Sequence, residues 1–131
     1  LVGREESERL EDPRLRYVGP VTKEQVDAWI ASFDVCLYPF RPSPLLDTIN
    51  PVKIYEYLAQ NKPVLAVRSR ETAAFGELVH TYDGVEKLRV LASSTWKVPF
   101  PSEDARKKFA AANDWDSRTG NVLDLIRNWV T

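Results

Sequence analysis

The chain has 131 residues, 44% hydrophobic, 11% aromatic and 28% charged, with a net charge of −1 from 18 basic and 19 acidic residues. These proportions suit one globular domain with a real core and exclude a disordered, collagenous or disulfide-stapled chain. The longest stretch without a charged residue, 90–96, falls far short of the ~20 residues of a membrane-spanning helix.

Neither half of the chain carries a marked excess of one sign, so a nucleic-acid platform or a basic membrane-binding helix is not expected. A small molecule or a neutral protein surface is the better default partner. The single cysteine, Cys36, allows no internal disulfide and no multi-cysteine zinc site, and it fits a reducing, cytoplasmic compartment. With one histidine, His80, a histidine-based metal cluster is also excluded, and no residue pattern points to a cofactor. The chain lacks Met even at position 1 and opens on Leu1-Val2-Gly3, which reads as a strand entering a turn. The expectation is a segment of a longer protein.

In chain order, short apolar strands alternate with amphipathic helices. Residues 15–19 are a strand candidate. Thr22 starts a helix, with Gln25 completing a Thr-x-x-Gln capping box and Val26, Trp29, Ile30 and Phe33 forming one apolar stripe. Residues 35–38 read as a strand of a sheet covered on both faces. Residues 39–50 hold three prolines and no helical period, so they read as a loop. Residues 51–60 are a helix with Pro51, Ile54, Tyr55 and Leu58 inward, ended by Asn61-Lys62-Pro63. Residues 64–67 are a buried strand and 78–82 a further strand. Residues 85–92, 103–112 and 116–130 read as helices, the last with Val122, Leu125, Ile126 and Trp129 on one face. Trp29, Trp115 and Trp129 are expected in the core, Trp96 is in a loop-like stretch, and Arg106, Lys107 and Lys108 read as a solvated helix face. The alternation implies an α/β fold: a Rossmann-like parallel sheet with helices on both faces. Ligands of such sheets bind at the carboxyl ends of the strands. That singles out the turns at Gly3-Arg4 and Gly19-Pro20 and the segments 39–50 and 68–72.

The strongest local signal is Asn50-Pro51-Val52-Lys53-Ile54-Tyr55-Glu56-Tyr57. Asn50 is a good N-cap type and Pro51 suits the first helical position. The N–H groups of Val52 and Lys53 would then be free at the positive end of the helix dipole, ready for phosphate, with the Lys53 ammonium beside them. Glu56, one turn on, can accept two hydrogen bonds from a diol such as that of ribose. The blander reading is a plain helix start with Lys53 and Glu56 paired on a solvated face.

The segment 50–67 resembles the donor-binding segment of GT-B glycosyltransferases of the bacterial surface-polysaccharide type. Glu56-x-x-Ala59 followed by Pro63-Val64 carries the likeness. Residues 16–20 and 32–40 are similar to the family's strands upstream. Residues 109–126, with Trp115-Asp116 and Arg118, are similar to its closing helices. The resemblance covers most of the chain and implies one donor-binding domain over residues 1–131, lacking the domain's first strand–helix unit and the whole acceptor domain. It implies that Glu56 holds the ribose hydroxyls of a nucleotide-sugar and that the backbone at Pro51, Val52 and Lys53 holds its diphosphate. By the same resemblance, Gly19 lies against the base and Arg4 near the diphosphate. Many relatives carry a second Glu eight positions before the ribose Glu. Thr48 stands there, with Asp47 beside it, so either the sugar is held differently or Asp47 substitutes.

The function so implied is that of the nucleotide-sugar-binding half of a glycosyltransferase. The acceptor, a sugar or a lipid-linked sugar, would bind the absent domain. That domain would also hold the group that activates the acceptor, and the chain alone would transfer nothing. Its place would be cytoplasmic or peripheral at the inner face of the membrane. The alternatives are a non-catalytic Rossmann-like binding module and a nucleotide-sugar epimerase of the same architecture.

Overall fold

Three short segments pair in parallel, β1 (Cys36–Tyr38), β2 (Val64–Val67) and β3 (His80–Tyr82), in the order β1-β2-β3. The computed structural model describes Val2, residues 9–94 and residues 100–130. Within this range lie six helices: α1 (Lys23–Ser32), α2 (Val52–Ala59), α3 (Arg70–Ala73), α4 (Val85–Ser94), α5 (Glu103–Ala112) and α6 (Trp115–Val130). None is long and apolar enough to cross a membrane. The α/β, Rossmann-like arrangement of parallel strands joined through helices is the one the alternation implies.

By contact the chain divides at residues 33 and 34. In the first unit, the extended stretch before Pro20 makes a single parallel bridge, Val2 to Gly19, rather than a full strand. Gly19 takes a φ of +83°, a conformation that favours glycine. The Thr22 N–H donates to Gln25 Oε1 at 3.0 Å, as the capping box requires. Of the expected stripe, Ile30 is buried and Val26, Trp29 and Phe33 are half-buried.

In the second unit, β2 is buried on all four residues, and Ile54 and Leu58 of α2 join it in the core. Register puts Leu37, Leu65 and His80 on one face and Cys36, Val64, Tyr38 and Ala66 on the other. Leu37 is 41% exposed, so the first face is left open at β1, contrary to the expectation that this strand is covered on both sides. Cys36 is buried, and burial pushes its thiol up to about 11, which removes it as a thiolate nucleophile at neutral pH. His80 stands edge-on to Phe100.

The short α3 and a 3-10 turn at Gly76–Leu78 fill the connection from β2 to β3. Both are too brief for a periodic signal, although Ser69-x-x-Thr72 is a legible cap: Ser69 Oγ accepts from the Thr72 N–H at 3.1 Å.

Two expectations fail at the carboxyl-terminal helices. Trp115 and Trp129 are 83% and 93% exposed, and Val122, Leu125 and Ile126 are exposed with them. The stripe on α6 is amphipathic as read, but among the described residues nothing covers it. Arg106 is buried at 8% exposure rather than solvated. Its Nε donates to Asn61 Oδ1 at 2.7 Å and its Nη1 to the Pro101 carbonyl. Lys107 and Lys108 do stay on the solvated face, paired with Glu103 and Asp104. Trp96 lies outside the described residues.

Asn61 explains the burial of Arg106. It closes α2 with φ +57°, its N–H bonding Leu58 O while the Lys62 N–H bonds Tyr57 O, both at 2.9 Å. This is a Schellman close with Asn in the left-handed position. The side chain so presented meets Arg106 of α5. Arg106→Ala is expected to lower unfolding stability by about 2–3 kcal/mol, since it removes charged hydrogen bonds from a buried place. Lys107→Ala should stay within ~0.5 kcal/mol. Equal, small losses in urea unfolding would contradict the pin.

Candidate functional site

The roll of α2 decides what its start presents. Ile54 and Leu58, four apart, face the core, while Lys53 and Glu56 fall on the other side. The helix follows the connection that leaves the carboxyl end of β1, the edge where parallel sheets bind ligands. Lys53 Nζ and Glu56 Oε2 meet at 2.8 Å, with the side chains 56% and 40% exposed, which is the pairing on a solvated face that the blander reading expects.

The helix start differs by one position from the expected form. Pro51 takes φ −81° and ψ 72°, an inverse γ-turn, and stands at the N-cap, so that Val52 is the first helical residue. The turn is closed by the Val52 N–H on Asn50 O at 2.9 Å, and the Ile54 N–H bonds Pro51 O at 2.8 Å. Of the expected pair of free amides, Val52 is therefore taken by the turn and the Lys53 N–H is the one left without a backbone acceptor among the described residues.

The loop before α2 contains a 3-10 turn, Leu46–Thr48. Leu46 is buried in the core cluster. Thr48 is exposed and its Oγ1 donates to Leu45 O at 2.8 Å. Asp47 Oδ1 accepts the Arg70 N–H at 2.7 Å, a contact across the connections that follow β1 and β2. Residue pattern alone gives no sign of this bond. Near the same edge, Arg68 Nε and Asp83 Oδ1 pair at 2.7 Å.

Asp47, Thr48, Asn50, Val52 and Lys53 are exposed along the approach to α2 and its start, while Pro51 and Ile54 between them are buried. Gly19 belongs to the first unit. Arg4 lies outside the described residues. Tyr57, beside Glu56, is half-buried, and burial pushes its phenol up to about 12, so it is a neutral hydrogen-bonding group at physiological pH. The other face of α2 is held by rings: Tyr55 meets Phe75 at 5.0 Å and Phe109 at 5.6 Å, and the Arg118 guanidinium lies 5.0 Å from the Tyr55 centroid.

No protein-family model matches the chain, and no solved structure matches it. Among curated proteins, the "Putative teichuronic acid biosynthesis glycosyltransferase TuaH" of Bacillus subtilis (strain 168) is 28% identical over 79 residues, 60% of this chain. The chain spans 20% of the length of that relative. It is thus similar to a glycosyltransferase over more than half of its own residues.

A charged pair this exposed holds the fold only weakly. Lys53→Ala and Glu56→Ala are each expected to change stability by less than ~1 kcal/mol, with a coupling of about 0.2–0.5 kcal/mol in the double variant. A loss of several kcal/mol from either substitution in urea unfolding would make the pair structural.

Proposed function

We propose that this chain is the nucleotide-sugar-binding part of a GT-B type glycosyltransferase. The intact enzyme would move a sugar from a nucleoside-diphosphate donor to an acceptor in polysaccharide or glycoconjugate synthesis. The observation that carries this reading is the placing of Lys53 and Glu56 together on the outward side of the first turns of α2, after the connection from the carboxyl end of β1. Their mutual ion pair is what the blander reading expects, and a bound donor has to break it. The similarity to a glycosyltransferase supports it.

In this reading the Lys53 ammonium and N–H hold the diphosphate. Glu56, released from Lys53, accepts hydrogen bonds from both ribose hydroxyls, two charge-assisted contacts. The diphosphate is the leaving group, and positive charge at Lys53 stabilises the negative charge that develops on it. Thr48, exposed on the 3-10 turn, would stand on the sugar side. The group that activates the acceptor lies elsewhere in the intact protein, so the 131-residue chain alone transfers nothing.

Titration calorimetry on the intact protein tests the assignment. Glu56→Ala is expected to cost on the order of 1–3 kcal/mol in donor binding. A 2′,3′-dideoxy nucleotide should bind weakly to the parent protein and be indifferent to the substitution. Lys53→Ala should weaken a nucleoside diphosphate more than the nucleoside. Donor affinity untouched by Glu56→Ala would overturn the ribose role of Glu56. Equal losses for nucleoside and diphosphate in Lys53→Ala would overturn the diphosphate role of Lys53.

A further inference from the structure

Asp47 stands nine residues before Glu56, and its carboxylate is bonded to another element of the fold. A hydrogen-bonded path runs to it from the last residue of β2. Thr72 Oγ1, which is buried, donates to Val67 O at 2.8 Å and accepts the Ser69 N–H at 2.8 Å. Ser69 Oγ, also buried, accepts the Thr72 N–H, which locks the first turn of α3. The next amide, Arg70 N–H, donates to Asp47 Oδ1 at 2.7 Å. On the other side of Asp47, the buried Leu46 seats the 3-10 turn in the core, and the Thr48 N–H and hydroxyl both fold back on Leu45 O. Three residues later the chain enters the γ-turn at Pro51 that starts α2.

We propose that Asp47 is a positioning residue. Its Oδ1 anchors the Leu46–Thr48 turn to the α3 amide and thereby sets the start of α2, where Lys53 and Glu56 stand, without itself touching a bound donor. The consequence for binding rests on the donor site proposed above; the anchoring does not. The bond needs an acceptor oxygen, and exchange of the Arg70 amide reads it separately from any contact between Asp47 and a ligand. Asp47 is exposed, so truncation leaves no cavity.

The experiment compares Asp47→Asn, which keeps an acceptor oxygen, with Asp47→Ala, which removes it, in the intact protein. Amide hydrogen exchange over residues 45–53 and at Arg70 is read first, then the affinities for UDP and GDP by calorimetry. Asp47→Ala should speed exchange at the Arg70 amide and across the 3-10 turn about tenfold, as expected for an amide that loses its acceptor. It should also weaken whichever nucleotide binds by about tenfold. Asp47→Asn should restore both to within about threefold of the parent, since its oxygen can accept the same N–H. If Asp47→Asn loses affinity as fully as Asp47→Ala while exchange stays slow, the carboxylate touches the ligand and the proposal is wrong. Unchanged exchange in Asp47→Ala overturns it as well. Should neither nucleotide bind the parent protein, a uridine or guanosine donor is ruled out, and the exchange comparison alone decides whether Asp47 is the anchor.

Discussion

The packing of α2 on β2 is the constraint on which the rest of the second unit depends. Ile54 and Leu58 are fully buried against a strand that is itself buried on every residue. Each such side chain is worth roughly 1.5–3 kcal/mol relative to exposure. No other roll of the helix keeps both inside, because their four-residue spacing marks a single stripe. Once they are placed, Lys53 and Glu56 must face away from the core, three apart and close enough to pair. The chemistry available to the site is therefore a by-product of the hydrophobic pattern beneath it.

Both ends of that helix are tied down by polar bonds. At its close, Asn61 supplies a left-handed residue for the chain reversal and an amide oxygen for Arg106, so one side chain serves both the cap and the docking of α5. At its start, the γ-turn at Pro51 follows a segment anchored through Leu46 in the core and Asp47 on α3. Between the two ends, the Tyr55, Phe75 and Phe109 rings and Arg118 fill the side toward α5 and α6. A surface that must recognise a small ligand benefits from such fixing, since ordering its groups at the moment of binding costs affinity.

Much of this is legible in the sequence, and the failures have physical causes. The strand at 64–67 follows from its apolar run, and the helices α1, α2, α4, α5 and α6 from a periodicity that burial bears out at Ile30, Ile54 and Leu58. The strand expected over 78–82 is shorter, His80–Tyr82, because Leu78 closes the 3-10 turn before it. The start of α2 falls one residue later than Asn and Pro preferences suggest. Those preferences describe a standard cap, whereas Pro51 ψ is turned to 72° by the γ-turn. Arg106 reads as one more charge in a basic triplet, because its partners, the Asn61 side chain and the Pro101 carbonyl, carry no charge pattern. The Trp residues of α6 show the reverse error: a helix can carry an apolar stripe that the described residues leave open. The bond from Arg70 to Asp47 joins residues 23 apart through a backbone amide, a contact that residue types alone do not reveal.

The most direct measurement of the central claim is a crystal structure of the intact protein grown with nucleoside-diphosphate sugars, one per crystal. The account predicts density for a ribose whose two hydroxyls lie within hydrogen-bond distance of the Glu56 carboxylate, with the diphosphate against Lys53. A bound nucleotide-sugar placed with Glu56 still paired to Lys53 and no ribose contact would contradict it.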